Sequence, residues 1–175
     1  MTNIGKDPHD RELGEYWEDC FCDMARRYGW EAWPFQRENG ATFTDAAGNR
    51  YICPDVWILR RGSEQYACEV KHKTQARNGA YGFEKYHVDS LLALEKSYDA
   101  PVLYVVHNWA KAGGKHVKEN REEDWHAQLL QVCEANKTVS TSKTLYGGGI
   151  TGGPVIIHYY RNPFRIFKLL AYFLG

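Results

Sequence analysis

Asp55, Glu69 and Lys71 are the residues whose types and spacing point most directly to chemistry. Residues 51–59 and 65–73 read as two β-strands, and Arg61, Gly62 and Ser63 between them read as a three-residue turn. With Arg60 paired to Glu64, the register sets Asp55 across from Glu69 and Cys53 across from Lys71. Facing Cβ atoms in such pairs lie about 4.5–5.5 Å apart. Glu69 and Lys71 share a face because side chains alternate along a strand. Two facing carboxylates repel each other, so a patch that keeps both is suited to a cation. Carboxylate oxygens suit Mg²⁺, which takes one or two protein carboxylates and completes its shell with water and phosphate oxygens.

The elements that must position these groups are legible in the periodicity. Leu13, Trp17, Phe21, Met24, Ala25 and Tyr28 recur at helical steps, which predicts a helix from about residue 8 to Tyr28, with Pro8 at its start and Gly29 past its end. Residues 30–35 predict a strand that Pro34 confines to a sheet edge or a bulge. Residues 37–49, punctuated by Gly40 and Gly48, read as a loop, and so do residues 74–82. A second helix is expected over about 83–98, ended by Asp99, Ala100 and Pro101. The apolar run 102–106 predicts a strand buried on both faces. Further on, the pattern predicts a helix over about 122–135, a flexible glycine-rich connection over 136–153 and a strand over 154–160. Residues 164–174 are too apolar for a free tail and should pack on the domain or form a homodimer interface.

Pro54-Asp55 and Glu69-Val70-Lys71, on strands in this order, resemble the PD and ExK halves of the PD-(D/E)XK nuclease superfamily. The resemblance spans roughly residues 11–107. It implies an α/β, restriction-endonuclease-like fold with an αβββαβ core and a central mixed sheet flanked by helices, extended at the C-terminus by a helix, a strand and a helix. It also implies that Asp55, Glu69 and the Val70 carbonyl hold Mg²⁺, with Mn²⁺ as a substitute, and that Lys71 orients the attacking water. The superfamily's first helix commonly donates a further glutamate. Gly14, Trp17 and Glu18 look like that helix signature, making Glu18 the first choice and Glu15 the second. Tyr86 and His87 open the helix that follows the ExK strand, where the family often places site-facing polar residues; its frequent glutamine has no clear equivalent here. The implied product carries a 5′-phosphate.

A net charge of zero gives no global field for a polyanion, so a DNA partner requires local basic patches. Lys73, Tyr86 and His87 are candidates, together with the basic loop carrying Lys111, Lys115, Lys118 and Arg121. The chain has 175 residues, 43% hydrophobic and 25% charged, consistent with one domain: a core over about 11–107 and an elaboration over 108–175. Five cysteines without framework spacing, a polar start and no long apolar run suggest a soluble protein of a reducing cytoplasm, or of a host cell's if phage-encoded. Cys20 and Cys22, with Cys53 and Cys68, match no standard zinc spacing. No GxSxG, HExxH or GxGxxG motif occurs.

The leading expectation is therefore a metal-dependent DNA endonuclease of phage or mobile-element type, serving homing, restriction or repair. A Holliday-junction-resolvase-like enzyme is one alternative. A non-catalytic nucleic-acid-binding domain on the same fold is another, and a metal-dependent enzyme acting on a different phosphate substrate is a third.

Overall fold

The computed structural model describes residues 8–35, 42–60, 62, 64–73, 80–109, 119–141, 145–146, 149–150, 155–160 and 168–175. Helix α1 (Pro8–Arg27) forms as its periodicity predicts, and Gly29 follows it with φ +85°, a left-handed conformation that costs a glycine little. Its apolar stripe buries Leu13, Trp17, Phe21, Met24 and Ala25. Each large side chain there contributes roughly 1.5–3 kcal/mol of transfer free energy.

Strand β1 (Glu31–Pro34) is an edge strand, as its proline requires. Residues 37–49 are not wholly a loop. Residues 37–41 lie outside the described residues, but β2 (Thr42–Thr44) pairs with β3 (Arg50–Ile52) in a hairpin. Asp45 closes its turn by accepting hydrogen bonds from the Ala47 and Asn49 amides at 2.9 and 2.8 Å.

The single strand expected over 51–59 is divided. Cys53, Pro54 and Asp55 interrupt it, and β4 (Val56–Arg60) begins only afterwards. The register with β5 (Glu64–Lys73) is the expected one, Arg60 opposite Glu64, but pairing stops at Val56 opposite Cys68. Asp55 is therefore not in a ladder with Glu69, and Cys53 is not opposite Lys71. Proline lacks an amide donor and so favours this break.

Residues 80–84 also depart from expectation: they form β6 (Ala80–Glu84), directly before α2 (Lys85–Tyr98). Strand β7 (Val102–Asn108) is buried along its whole length and runs parallel to β5. The helix expected over 122–135 is instead a short 3-10 turn (Glu122–Asp124), strand β8 (Trp125–Leu129) and a shorter α3 (Leu130–Ala135). Trp125, Leu129, Val132 and Cys133 fit helical spacing, but pairing with β7 overrides it. Residues 136–153 also hold strands: β9 (Lys137–Thr141), β10 (Leu145–Tyr146) and β11 (Gly149–Ile150). Strand β12 (Val155–Tyr160) forms where predicted, between β6 and β9 in a separate antiparallel sheet. The chain ends in β13 (Lys168–Leu169) and α4 (Ala171–Leu174).

The central mixed sheet runs β1-β4-β5-β7-β8-β13. Alternation along β5 and β7 divides two cores. Cys68, Val70, Leu103 and Val105 pack with α1, whereas Ala67, Val102, Tyr104 and Val106 pack with α2 and α3. Leu170 and Leu174 are fully buried in the α1-side core, so residues 168–175 pack on their own domain. Arg60 and the Trp30 indole clamp this end: each donates to the Leu174 carbonyl at 2.8 Å. No helix among the described residues is long and apolar enough to cross a membrane.

Candidate active site

Where β4 stops pairing, β5 continues, and Glu69 and Lys71 occupy that overhang. Alternation sets both on the α2 face, beside Ala67. Asp55 reaches them from the bend before β4. Its Oδ2 accepts the Val70 amide at 2.8 Å and the Lys71 ammonium at 3.2 Å. The same ammonium lies 2.5 Å from Glu69 Oε1. The three groups meet as the sequence predicts, although the bend rather than a cross-strand pair delivers Asp55.

The electrostatics are those of a buried charge triad. The Glu69 side chain is only 2% exposed, while those of Asp55 and Lys71 are each 24% exposed. Burial pushes the Glu69 carboxyl up, but Lys71 and His87 outweigh it and bring the pKa down to about 2. Asp55 is shifted the other way: burial and then the Glu69 charge raise it, against the pull of Lys71 and the Val70 amide. Burial favours a neutral Lys71, yet the two carboxylates together raise its pKa above the ordinary lysine value. Glu69 thus stays ionised, and Asp55 is the member that takes up a proton first.

Helix α2 closes the site from above. His87 Nδ1 stands 3.4 Å from Glu69 Oε1, and its Nε2 is 2.9 Å from the Tyr86 hydroxyl. Burial and the Glu84 carboxylate raise the Tyr86 pKa to about 12, so it remains a neutral donor. Lys73 lies further along the same face of β5 as Glu69 and Lys71, with its ammonium 4.8 Å from the Phe83 ring centroid.

Glu18 is half-buried on α1, whose apolar stripe packs on the opposite sheet face, where Trp17 stacks on His72 and His107. Glu15 is held in a surface pair with Arg11 at 2.8 Å. Arg121 is exposed and bonded to Glu119 at 2.6 Å. Lys111, Lys115 and Lys118 lie outside the described residues. Among the described residues, no group of three or more His, Cys, Asp or Glu side chains is arranged to hold a metal ion. All five cysteines are free.

No family model matches the chain, and no curated protein matches it in sequence. Among solved structures it is similar to Hjc of Archaeoglobus fulgidus, a Holliday junction resolvase from an archaeal hyperthermophile. The TM-score is 0.58 at 13% identity, covering 93% of this chain and 100% of that one. The fold is restriction-endonuclease-like. At that identity the likeness is one of architecture, a mixed sheet flanked by helices, and the chemistry has to be argued from the side chains.

The donor set fits a hard divalent cation. Two carboxylates converge on one positive charge, and Mg²⁺ is commonly held by one or two carboxylates, with waters and substrate oxygens completing its shell. The Val70 amide turns towards Asp55, beyond the end of the β4 ladder. Within a strand, the carbonyl of a residue points to the same side as its amide.

The sequence reading missed a cluster of aromatic side chains beside this site. Trp33, Phe35 and Trp57 occupy alternate positions on β1 and β4 and just beyond β1, and with Phe43, Leu94 and Tyr98 they line a pocket. The available signal was the period-two spacing of aromatics on predicted strands.

Proposed function

We propose that the protein is a metal-dependent DNA endonuclease that hydrolyses phosphodiester bonds. The observation carrying this reading is the convergence of Asp55 and Glu69 on the Lys71 ammonium, at 3.2 and 2.5 Å, in the overhang of β5. Asp55, Glu69 and the Val70 carbonyl would hold Mg²⁺, or Mn²⁺ in its place. When bound, such an ion lowers the pKa of a water and stabilises charge on phosphate oxygens. Lys71 is the compact donor that orients that water and meets the developing negative charge. His87 holds Glu69 in place from α2. The resemblance would add Glu18 of α1 as the holder of a second ion or of a metal-bound water.

Resolution of branched DNA is the more specific form of this reading. It is favoured by the architectural likeness to a protein described as a Holliday junction resolvase. Such an enzyme would act as a symmetric homodimer. Among the described residues, Tyr172 and Leu169, 67% and 51% exposed beside the buried Leu170 and Leu174, offer apolar surface in that segment.

The test is cleavage of supercoiled plasmid and of a four-way junction in Mg²⁺, in Mn²⁺ and in EDTA. Nicking that needs the metal and disappears in Asp55→Asn and Glu69→Gln is the expected result. Undiminished nicking by either variant refutes the assignment. Salt-sensitive DNA binding without nicking in either metal would identify a binding domain instead.

A further inference from the structure

The pocket lined by Trp33, Phe35, Phe43, Trp57, Leu94 and Tyr98 has a volume of about 260 Å³ and almost wholly apolar walls. It is below the ~300–1,000 Å³ of drug-sized ligand sites, a size for one flat ring system. Trp33, Phe35 and Tyr98 open it to solvent, at 40%, 37% and 53% exposed, while Phe43 and Trp57 pack against the core. Exposed apolar clusters of this kind mark binding surfaces.

The pocket lies beside the acidic site. The Phe35 amide donates to the Asp55 carbonyl at 2.9 Å, so the pocket wall and the catalytic bend are hydrogen-bonded neighbours. Trp57 follows Asp55 by two residues, about 7 Å along an extended chain. It pairs with Ala67, two residues before Glu69, so it stands on the face that carries Glu69 and Lys71. Helix α2 touches both places, with His87 at Glu69 and Leu94 and Tyr98 in the pocket wall.

A ligand that spans the two places has a defined chemistry: anionic where it meets a carboxylate-bound cation, flat, uncharged and aromatic beside it. That is a nucleotide whose base has left the helical stack. A base paired within a duplex is stacked on its neighbours and offers the pocket no free face. We propose that this pocket takes one unpaired nucleobase of the DNA strand engaged at Asp55 and Glu69, so that DNA with a bulge, flap or branch is preferred over continuous duplex. The choice of occupant rests on the nuclease reading.

The test uses the full chain in Ca²⁺, an oxygen-seeking cation that supplies the charge at Asp55 and Glu69, and two DNA duplexes with 2-aminopurine at one position, either as a single-base bulge or paired. The bulged duplex should bind roughly 5- to 150-fold more tightly, the range one base–aromatic stack provides. Its 2-aminopurine emission should be quenched on binding, as stacking on the pocket rings requires. Phe35→Ala and Tyr98→Ala should each reduce the affinity for the bulged duplex towards that of the paired one, whereas Tyr98→Phe, which keeps the ring, should retain the preference. Equal affinity for both duplexes with unchanged emission overturns the proposal, as does a preference that survives both alanine variants. Self-association of the free protein that Phe35→Ala abolishes also overturns it, giving the pocket to a second copy. The two readings separate cleanly. A bulge preference without Mg²⁺-dependent cleavage keeps the pocket and removes the nuclease. Cleavage indifferent to unpaired bases, with unmoved emission, does the reverse.

Discussion

Replacing Lys71 by methionine tests the charge triad without touching either carboxylate. Methionine keeps an unbranched stem of nearly the same length and removes the ammonium, which now lies 2.5 Å from Glu69 and 3.2 Å from Asp55. With an effective dielectric of about 20, the contacts are worth roughly 5–7 kcal/mol each of Coulomb energy before desolvation is subtracted. Removing one partner of a buried charge cluster typically costs about 3–5 kcal/mol, because the remaining charges stay buried and unpaired. A chain of this length loses about 2–4 °C of melting temperature per kcal/mol. Lys71→Met is therefore expected to melt about 6–20 °C below the wild type at pH 7 in EDTA.

Two further readouts make the experiment specific to charge. Lowering the pH should narrow the gap, because Asp55, already raised by burial and by Glu69, takes up a proton first and ends the repulsion. Mg²⁺ should also narrow it, because the ion replaces the lost positive charge. At about one hundred times its dissociation constant a ligand adds about 2.7 kcal/mol. The Mg²⁺-induced rise should be larger in the variant, since in the wild type Lys71 competes for the same oxygens. A variant that melts within about 2 °C of the wild type in EDTA, or that gains no more from Mg²⁺, would refute the reasoning.

Acid should destabilise the protein in a defined window. Glu69, held near 2 against 4.5, contributes stability that is complete above pH 4.5 and lost as pH falls towards 2. His107, fully buried under Trp17, has its pKa lowered from 6.5 to about 3 by burial and then by His72 and His126, so its neutral form contributes above pH 6.5 and is lost as pH falls towards 3. The raised Asp55 opposes both, and urea melts should still show stability rising from pH 3 to pH 6.5, with His107 alone worth on the order of 4–5 kcal/mol. His107→Phe keeps a ring against Trp17 and should flatten that rise; an unchanged slope between pH 4 and 6.5 would exclude His107 as its source. Leu174→Ala should cost about 2–5 kcal/mol by chemical denaturation, as expected for a buried leucine, and a loss under 1 kcal/mol would mean that the C-terminal segment is not part of the core.

Much of the fold was legible because its strongest signals are periodic. The stripe of α1, the apolar run of β7 and the register from Arg60–Glu64 were all readable from spacing. Two of the failures share a reason: short segments were decided by partners distant in sequence. Trp125, Leu129, Val132 and Cys133 satisfy a helical period, but 125–129 become a strand because β7 leaves an edge to be covered. Residues 80–84 become a strand only because β12, more than seventy residues later, pairs with them. The meeting of Asp55, Glu69 and Lys71 was legible in their spacing. Their aromatic neighbour was not, since Trp33, Phe43, Trp57 and Tyr98 meet only after β1, the hairpin and α2 have packed.

The most instructive difference lies at Asp55. A strand continued through residue 55 would hold its carboxylate directly opposite Glu69, where like charges are destabilising. Pro54 cannot donate to a ladder, and the chain bends there instead. The bend frees the Val70 amide from β4, and Asp55 Oδ2 accepts it at 2.8 Å while remaining within 3.2 Å of Lys71. Asp55 thus gains an amide donor that a regular strand would have denied it, and the two carboxylates approach one cation from different directions rather than face to face. The proline matters to the chemistry because it ends a strand, and the acid beside it inherits the open end of the sheet. Pro54→Ala restores a donor and removes the obstacle to pairing. If the bend depends on that obstacle, the variant should retain its fold while losing Mg²⁺-dependent stabilisation; an undiminished Mg²⁺ effect would show that the bend holds without the proline.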